Sequence, residues 1–120
     1  MYENRNTAIF RLQADICKTL ADPNRLMILH ELRSGELSVG EIVRKLELPQ
    51  SSVSRHLAVM REREIVRKRR VGTNIYYSQA NPKIGQACDL VRDMMETYLS
   101  ETSQLARSMA SSRKLTGKGK

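Results

Sequence analysis

The sequence predicts a mainly α-helical chain of five helices with one small β-hairpin. Three observations carry this. Apolar residues recur at helical spacing in five separate segments. Asp22-Pro23, Gly35, Leu48-Pro49 and Asn81-Pro82 punctuate those segments. Between the fourth and fifth, two β-favouring runs flank Val71-Gly72-Thr73-Asn74. At 120 residues, 40% of them apolar, the chain has the size and composition of one domain.

Each element has a local reason. Ile9, Leu12, Ile16 and Leu20 mark one face of a first helix over 5–20. Asp22 is a good N-cap, and Pro23 is tolerated at the first helical position because the N–H it lacks would be unpaired there anyway. The second helix, 23–34, carries Leu26, Met27, Ile28, Leu29 and Leu32 and is expected to be heavily buried, with Gly35 closing it. Ser38-Val-Gly-Glu41 fits a capping box. The stripe Val39, Ile42, Val43, Leu46 then makes a third helix, ended by Leu48-Pro49. The fourth spans 50–63, with Val53, Leu57 and Met60 inward and His56 in the remaining stripe position. Two short helices joined by a three- to four-residue turn form a helix-turn-helix. The basic hairpin that follows, over 65–78, is a wing, with Gly72 and Asn74 available for positive φ. Asn81-Pro82 starts the last helix, whose stripe Ile84, Cys88, Val91, Met95, Tyr98, Thr102, Leu105, Met109 steps as a heptad seam. Ala87, Leu90 and Met94 widen it. So broad an apolar face implies a homodimer built on the first and last helices. The expected division is 1–106 for the folded domain and 107–120 for a basic, flexible tail.

Charge points to the partner. The chain holds 21 basic and 13 acidic residues, for a net +8. Residues 44–70 alone contribute +6 and residues 107–120 a further +5. A localised basic surface attracts polyanions and releases counterions from nucleic acid. The outer face of the fourth helix is short and polar: Ser51, Arg55, Ala58 and Glu62, flanked by Ser52 and Ser54, with Gln50 opening the helix. Such a face fits a major groove about 12 Å wide. Arg67, Lys68, Arg69 and Arg70 on the wing, with Thr73 and Asn74 at its turn, suit phosphates or a minor groove. Double-stranded DNA is therefore the expected partner. With 4% aromatic residues the chain is poor in stacking platforms for single strands. His56 has two readings, a helix-stabilising one and a phosphate contact.

Other classes are weakly supported. There is no nucleophile–base set and no Gly-rich phosphate loop, so no enzyme and no cofactor are expected. No run approaches the roughly 20 apolar residues of a membrane span. The N-terminal stretch is polar with no apolar segment behind it, and a cytoplasmic location is the expectation. Cys17 and Cys88 are too few for a disulfide framework. With His30 and His56 they do not make metal-ligand spacing. The two thiols lie on the helices assigned to the dimer and are candidates for redox sensing, against the alternative that they pack as small apolar residues. The rival reading is a winged-helix interaction module without specific DNA binding.

Three stretches together, Leu20-Ala-Asp-Pro-Asn-Arg-Leu-Met-Ile-Leu29, Pro49-Gln-Ser-Ser-Val-Ser-Arg-His-Leu57 and Gly72-Thr-Asn-Ile-Tyr-Tyr-Ser78, resemble the ArsR/SmtB winged-helix repressors over roughly residues 8–100. The resemblance implies a homodimer that binds an imperfect inverted repeat and represses until an effector weakens binding. It also implies base and backbone contacts from Ser54, Arg55 and His56, with the wing around 69–74 on flanking DNA. The family's arsenic and cadmium sensors place two cysteines early in the third helix, where this chain reads Glu36-Leu-Ser-Val-Gly-Glu-Ile42. Its zinc sensors use a set of carboxylates and histidines on the last helix, and here no His follows His56. A thiol-sensing branch has a cysteine where His30 falls. The family's usual metal-site residues are therefore missing, no metal is expected, and the effector is left open.

Overall fold

The computed structural model describes residues 5–115, with side chains at 7–105 and 107–110. Five helices and a three-stranded antiparallel sheet follow in the order α1 (Arg5–Thr19), α2 (Pro23–Glu31), β1 (Leu37–Ser38), α3 (Val39–Leu46), α4 (Gln50–Glu62), β2 (Val66–Val71), β3 (Asn74–Gln79) and α5 (Pro82–Leu115). Two compact units result, divided between Gln86 and Ala87.

The caps form as the sequence predicts. Asp22 is extended, and its Oδ1 accepts the backbone N–H groups of Asn24 at 2.9 Å and Arg25 at 3.2 Å. Those bonds, the Arg25 one foremost, hold the Asp22 carboxyl below the usual carboxylate range. Ser38 and Glu41 complete the capping box: Ser38 N–H donates to Glu41 Oε1 at 2.8 Å and Glu41 N–H to Ser38 Oγ at 3.2 Å. At the last helix, Asn81 Oδ1 accepts Lys83 N–H at 2.9 Å.

Helix α2 stops at Glu31, three residues short of expectation. Leu32–Ser34 tighten into a turn of 3-10 helix, and Gly35 at φ +138° turns the chain toward β1. The core of the first unit collects Ile28, Leu29 and Leu32 from this segment and Ile42 from α3. Val53, Leu57 and Met60 from α4 join them, with Ile65 and Val66 at the start of the wing. Leu26 and Met27 are not part of it. They were expected to be buried but stand half-exposed, because only one side of α2 faces α3 and α4.

The sheet order is β1-β3-β2. The short strand β1 was not foreseen. It pairs Leu37 with Tyr77 and Ser38 with Tyr76, a partnership across some forty residues that no local pattern announces. The hairpin closes on a two-residue loop, since Val71 pairs with Asn74. Gly72 takes positive φ, +63°, as the hairpin turn demands; Asn74 does not, being the first residue of β3. Glu47 and Glu64 are also left-handed, at φ +54° and +59°, where the chain leaves α3 and α4.

The predicted faces of α1 and α5 are real but uncovered. Ile9, Phe10 and Leu12 on α1 are more than half exposed. On α5, Leu90, Val91, Met94, Met95, Tyr98, Leu99, Leu105 and Met109 are 45–70% exposed. Helix α5 passes the 106–107 boundary and continues to Leu115, with no Gly between Gly85 and Gly117 to interrupt it. The last part of the expected tail, 116–120, lies outside the described residues. Among the described residues no helix is long and apolar enough to cross a membrane.

Candidate nucleic-acid interface

The site is built on α4 and the wing. Helix α4 is pinned by Val53, Leu57 and Met60, all fully buried. Helical periodicity then turns Ser51, Ser54, Arg55 and Ala58 outward, and these are exposed; Ser52 is half-buried at the edge of that face. Gln50, the first helical residue, is exposed. Pro49 caps the helix without a side-chain hydrogen bond to the first turn, the positive end of the helix dipole. The turn into α4 is Glu47-Leu48-Pro49. Glu47 N–H donates to Val43 carbonyl at 2.8 Å and ends α3.

His56 does not belong to this face. It is only 4% exposed, and its Nδ1 accepts Arg25 Nε–H at 3.0 Å. The phosphate-contact reading is thereby corrected, because a ring packed into the stripe with Val53, Leu57 and Met60 cannot reach a groove. Burial above all holds His56 below its usual pKa; Arg25 and Arg55 push the same way and Asp22 opposes them. The guanidinium of Arg25 also donates through Nη1 to the carbonyl of Thr19, at 2.9 Å. Arg25 therefore ties α2, the end of α1 and α4 together. Sequence reading assigned it no role: its partner His56 lies 31 residues away, and only its place after an Asp-Pro cap hinted that it stood near a helix end.

The wing carries its four cations exposed. By the strand register, Lys68 and Arg70 share a face with Tyr77 and Ile75, while Arg67 and Arg69 share the other with Ser78 and Tyr76. Arg69 is engaged: its guanidinium forms a two-pronged ion pair with Glu36, through Nε at 3.2 Å and through Nη2. The pair holds Glu36 below its usual range and raises Arg69. Arg67, Lys68 and Arg70 make no ion pair among the described residues. A shallow groove of about 350 Å³ at the wing base adds Arg61 to this basic surface. Thr73 and Asn74 are exposed at the tip. Tyr76 and Tyr77 are both half-buried.

The cysteines do not join this site. Cys17 is exposed on α1, and Cys88 is half-buried on α5 in the second unit. Among the described residues, no three His, Cys, Asp or Glu side chains cluster in a way that could hold a metal ion.

The chain is similar to known proteins in sequence and in fold. The profile of the family described as "Bacterial regulatory protein, arsR family" matches residues 22–68, from the cap of α2 into the wing. The chain is 46% identical over 72 residues to the transcriptional repressor PagR of Bacillus anthracis, covering 59% of this chain and 72% of that one. The crystal structure of PagR superposes with a TM-score of 0.65, over 71% of this chain and 98% of PagR, at 40% identity. A solution structure titled as the homodimeric winged helix-turn-helix DNA-binding domain of Mb0332 from Mycobacterium bovis, "a possible ArsR-family transcriptional regulator", gives a TM-score of 0.74 at 28% identity, over 82% and 92% of the two chains. The transcriptional activator HlyU of Vibrio cholerae is 36% identical over 76 residues, 63% of this chain and 70% of HlyU.

Proposed function

Because this chain belongs to the arsR family of bacterial regulatory proteins, we propose that it is a homodimeric, sequence-specific double-stranded DNA-binding repressor acting in the cytoplasm. The observation that carries the reading is the outer face of α4. Small polar side chains and one arginine stand free on a helix whose opposite side is locked into the core, beside a wing with three cations not committed to any acid. Arg55 pairs with guanine O6 and N7, the serines and Gln50 address phosphates or base edges, and Arg67, Lys68 and Arg70 with Thr73 and Asn74 hold flanking backbone. Arg69, on the same strand, is held back from the DNA by its ion pair with Glu36.

A second copy covers the exposed apolar faces of α1 and α5. Mb0332, described as homodimeric, supports this assignment. Two-fold symmetry then calls for an imperfect inverted repeat with half-sites about one helical turn, ~34 Å, apart. Residues 1–106 suffice for this, and the basic segment 107–120 adds affinity for any duplex.

Repression ends when an effector changes the pose of the two reading heads. We do not place a metal as that effector. Ser38 and Gly40 stand where the family's arsenic and cadmium sensors place their two cysteines, and neither is a soft-metal ligand. Thiol oxidation is the candidate chemistry, favoured by the exposure of Cys17. The test is a fluorescence-anisotropy titration against duplex from upstream of the chain's own gene with excess random competitor, reduced and mildly oxidised. Specific binding supports the regulator; its absence favours an interaction module. A Cys17→Ser/Cys88→Ser protein that keeps an oxidant response removes the thiols as sensor.

A further inference from the structure

We infer that Arg25 is a positioning residue for the reading helix, acting through neutral His56, and that protonation of His56 lets that helix go. The inference rests on the proposal that α4 enters the major groove.

The hydrogen bonds fix the chemistry. Arg25 Nε–H points at His56 Nδ1, so that nitrogen must offer a lone pair and the ring proton must be on Nε2. An imidazolium has no lone pair to offer. Once protonated, His56 would face the guanidinium as a second cation, almost entirely out of water. The bond therefore exists in one protonation state only.

The same guanidinium holds the Thr19 carbonyl, and the Arg25 backbone N–H is held in turn by the Asp22 carboxylate. One end of the strut is thus anchored on α1 and the cap of α2, and the other end on α4. The charged groups acting on His56 are Asp22 and Arg25 from the α2 side and Arg55 on its own helix. Asp22 favours the imidazolium, whereas Arg25 and Arg55 disfavour it. Arg55 directly follows Ser54 on the outward face, and His56 is the next residue. A tilt of α4 at His56 displaces the groups that face the groove, and recognition is sensitive to such displacements.

The sign is distinctive. Acidification ordinarily tightens DNA binding, since each added proton makes the protein more cationic. Here specific affinity should fall as the solution passes below the ordinary histidine range of about 6.5, while affinity for random duplex does not fall.

The experiment is an anisotropy titration of the full chain on its specific duplex and on random duplex, at fixed ionic strength, between about pH 7.5 and about pH 5.5. Wild type should lose about tenfold or more in specific affinity, the range expected for one hydrogen bond to a charged group. His56→Asn places an acceptor oxygen where Nδ1 stood but does not titrate, so it should bind as wild type does near neutrality and stay level. Arg25→Met should bind weakly and independently of pH. If that variant fails to fold, His56→Asn still decides. Level wild-type binding overturns the inference, as does a parallel fall in His56→Asn or a loss that coincides with loss of helical circular dichroism. No specific binding even near neutrality overturns the functional proposal and this inference with it.

Discussion

Neutralising the wing should flatten the salt dependence of DNA binding by a countable amount. Arg67, Lys68 and Arg70 are exposed and make no ion pair among the described residues, and Arg55 is exposed on α4. That gives four available cations per protomer and eight per dimer. Each phosphate neutralised contributes about 0.9 to the slope of log K against log salt, so these eight charges alone should contribute about −7 to the wild-type slope. Between about 50 and about 200 mM salt these charges alone should lower the affinity by about 10⁴-fold. Arg67→Gln/Lys68→Gln/Arg70→Gln keeps side-chain length on an exposed strand and removes six charges per dimer. Its slope should be shallower than that of wild type by about 5. The assay is competition anisotropy on random duplex over a salt series, with circular dichroism as a check on folding. An unchanged slope in the triple variant would refute the reasoning, because the wing would then lie away from the phosphates.

Other consequences can be measured separately. Glu36→Gln frees Arg69 from its acid, so DNA binding should tighten and the salt slope steepen by about 2 per dimer. Arg55→Ala should cost about 1–3 kcal/mol on a specific site and relax sequence preference there, with a much smaller effect on random duplex. Ser38→Ala removes half of the capping box and should destabilise the fold by about 1 kcal/mol in urea titration. Glu64→Gly should stabilise it by a similar amount, since a left-handed φ of +59° costs a residue with Cβ about 1 kcal/mol. The carboxyls of Asp22 and Glu41 are held below their usual range by backbone N–H groups, of Arg25 and of Ser38 respectively. Their contribution to stability is complete above the ordinary carboxylate pKa of about 4 and is lost as pH falls through the lowered folded values. Acid unfolding of Asp22→Asn should accordingly be less steep there.

The sequence was informative where the interactions are local. Asp22-Pro23, Ser38…Glu41 and Asn81-Pro82 each act within three residues, and each cap forms where it was read. Val53, Leu57 and Met60 follow from one period on one helix. What stayed hidden joins residues far apart. β1 exists only because Leu37 and Ser38 meet β3. Arg25 finds His56 across 31 residues, and Arg69 finds Glu36 across 33. Periodicity placed His56 in the apolar stripe but could not supply the buried donor that makes a polar ring acceptable there. For Leu26 and Met27, periodicity identified apolar residues correctly and could not say which side of α2 the rest of the chain covers.

Selection of bound sequences from a random duplex library, run with wild type and with Arg55→Ala, tests most directly the claim that α4 reads DNA. The account predicts that wild type enriches an inverted repeat with half-sites about one helical turn apart, and that Arg55→Ala loses preference at one symmetric pair of positions. Recovery of no consensus by the folded wild-type protein, or of the same consensus by both proteins, would contradict it.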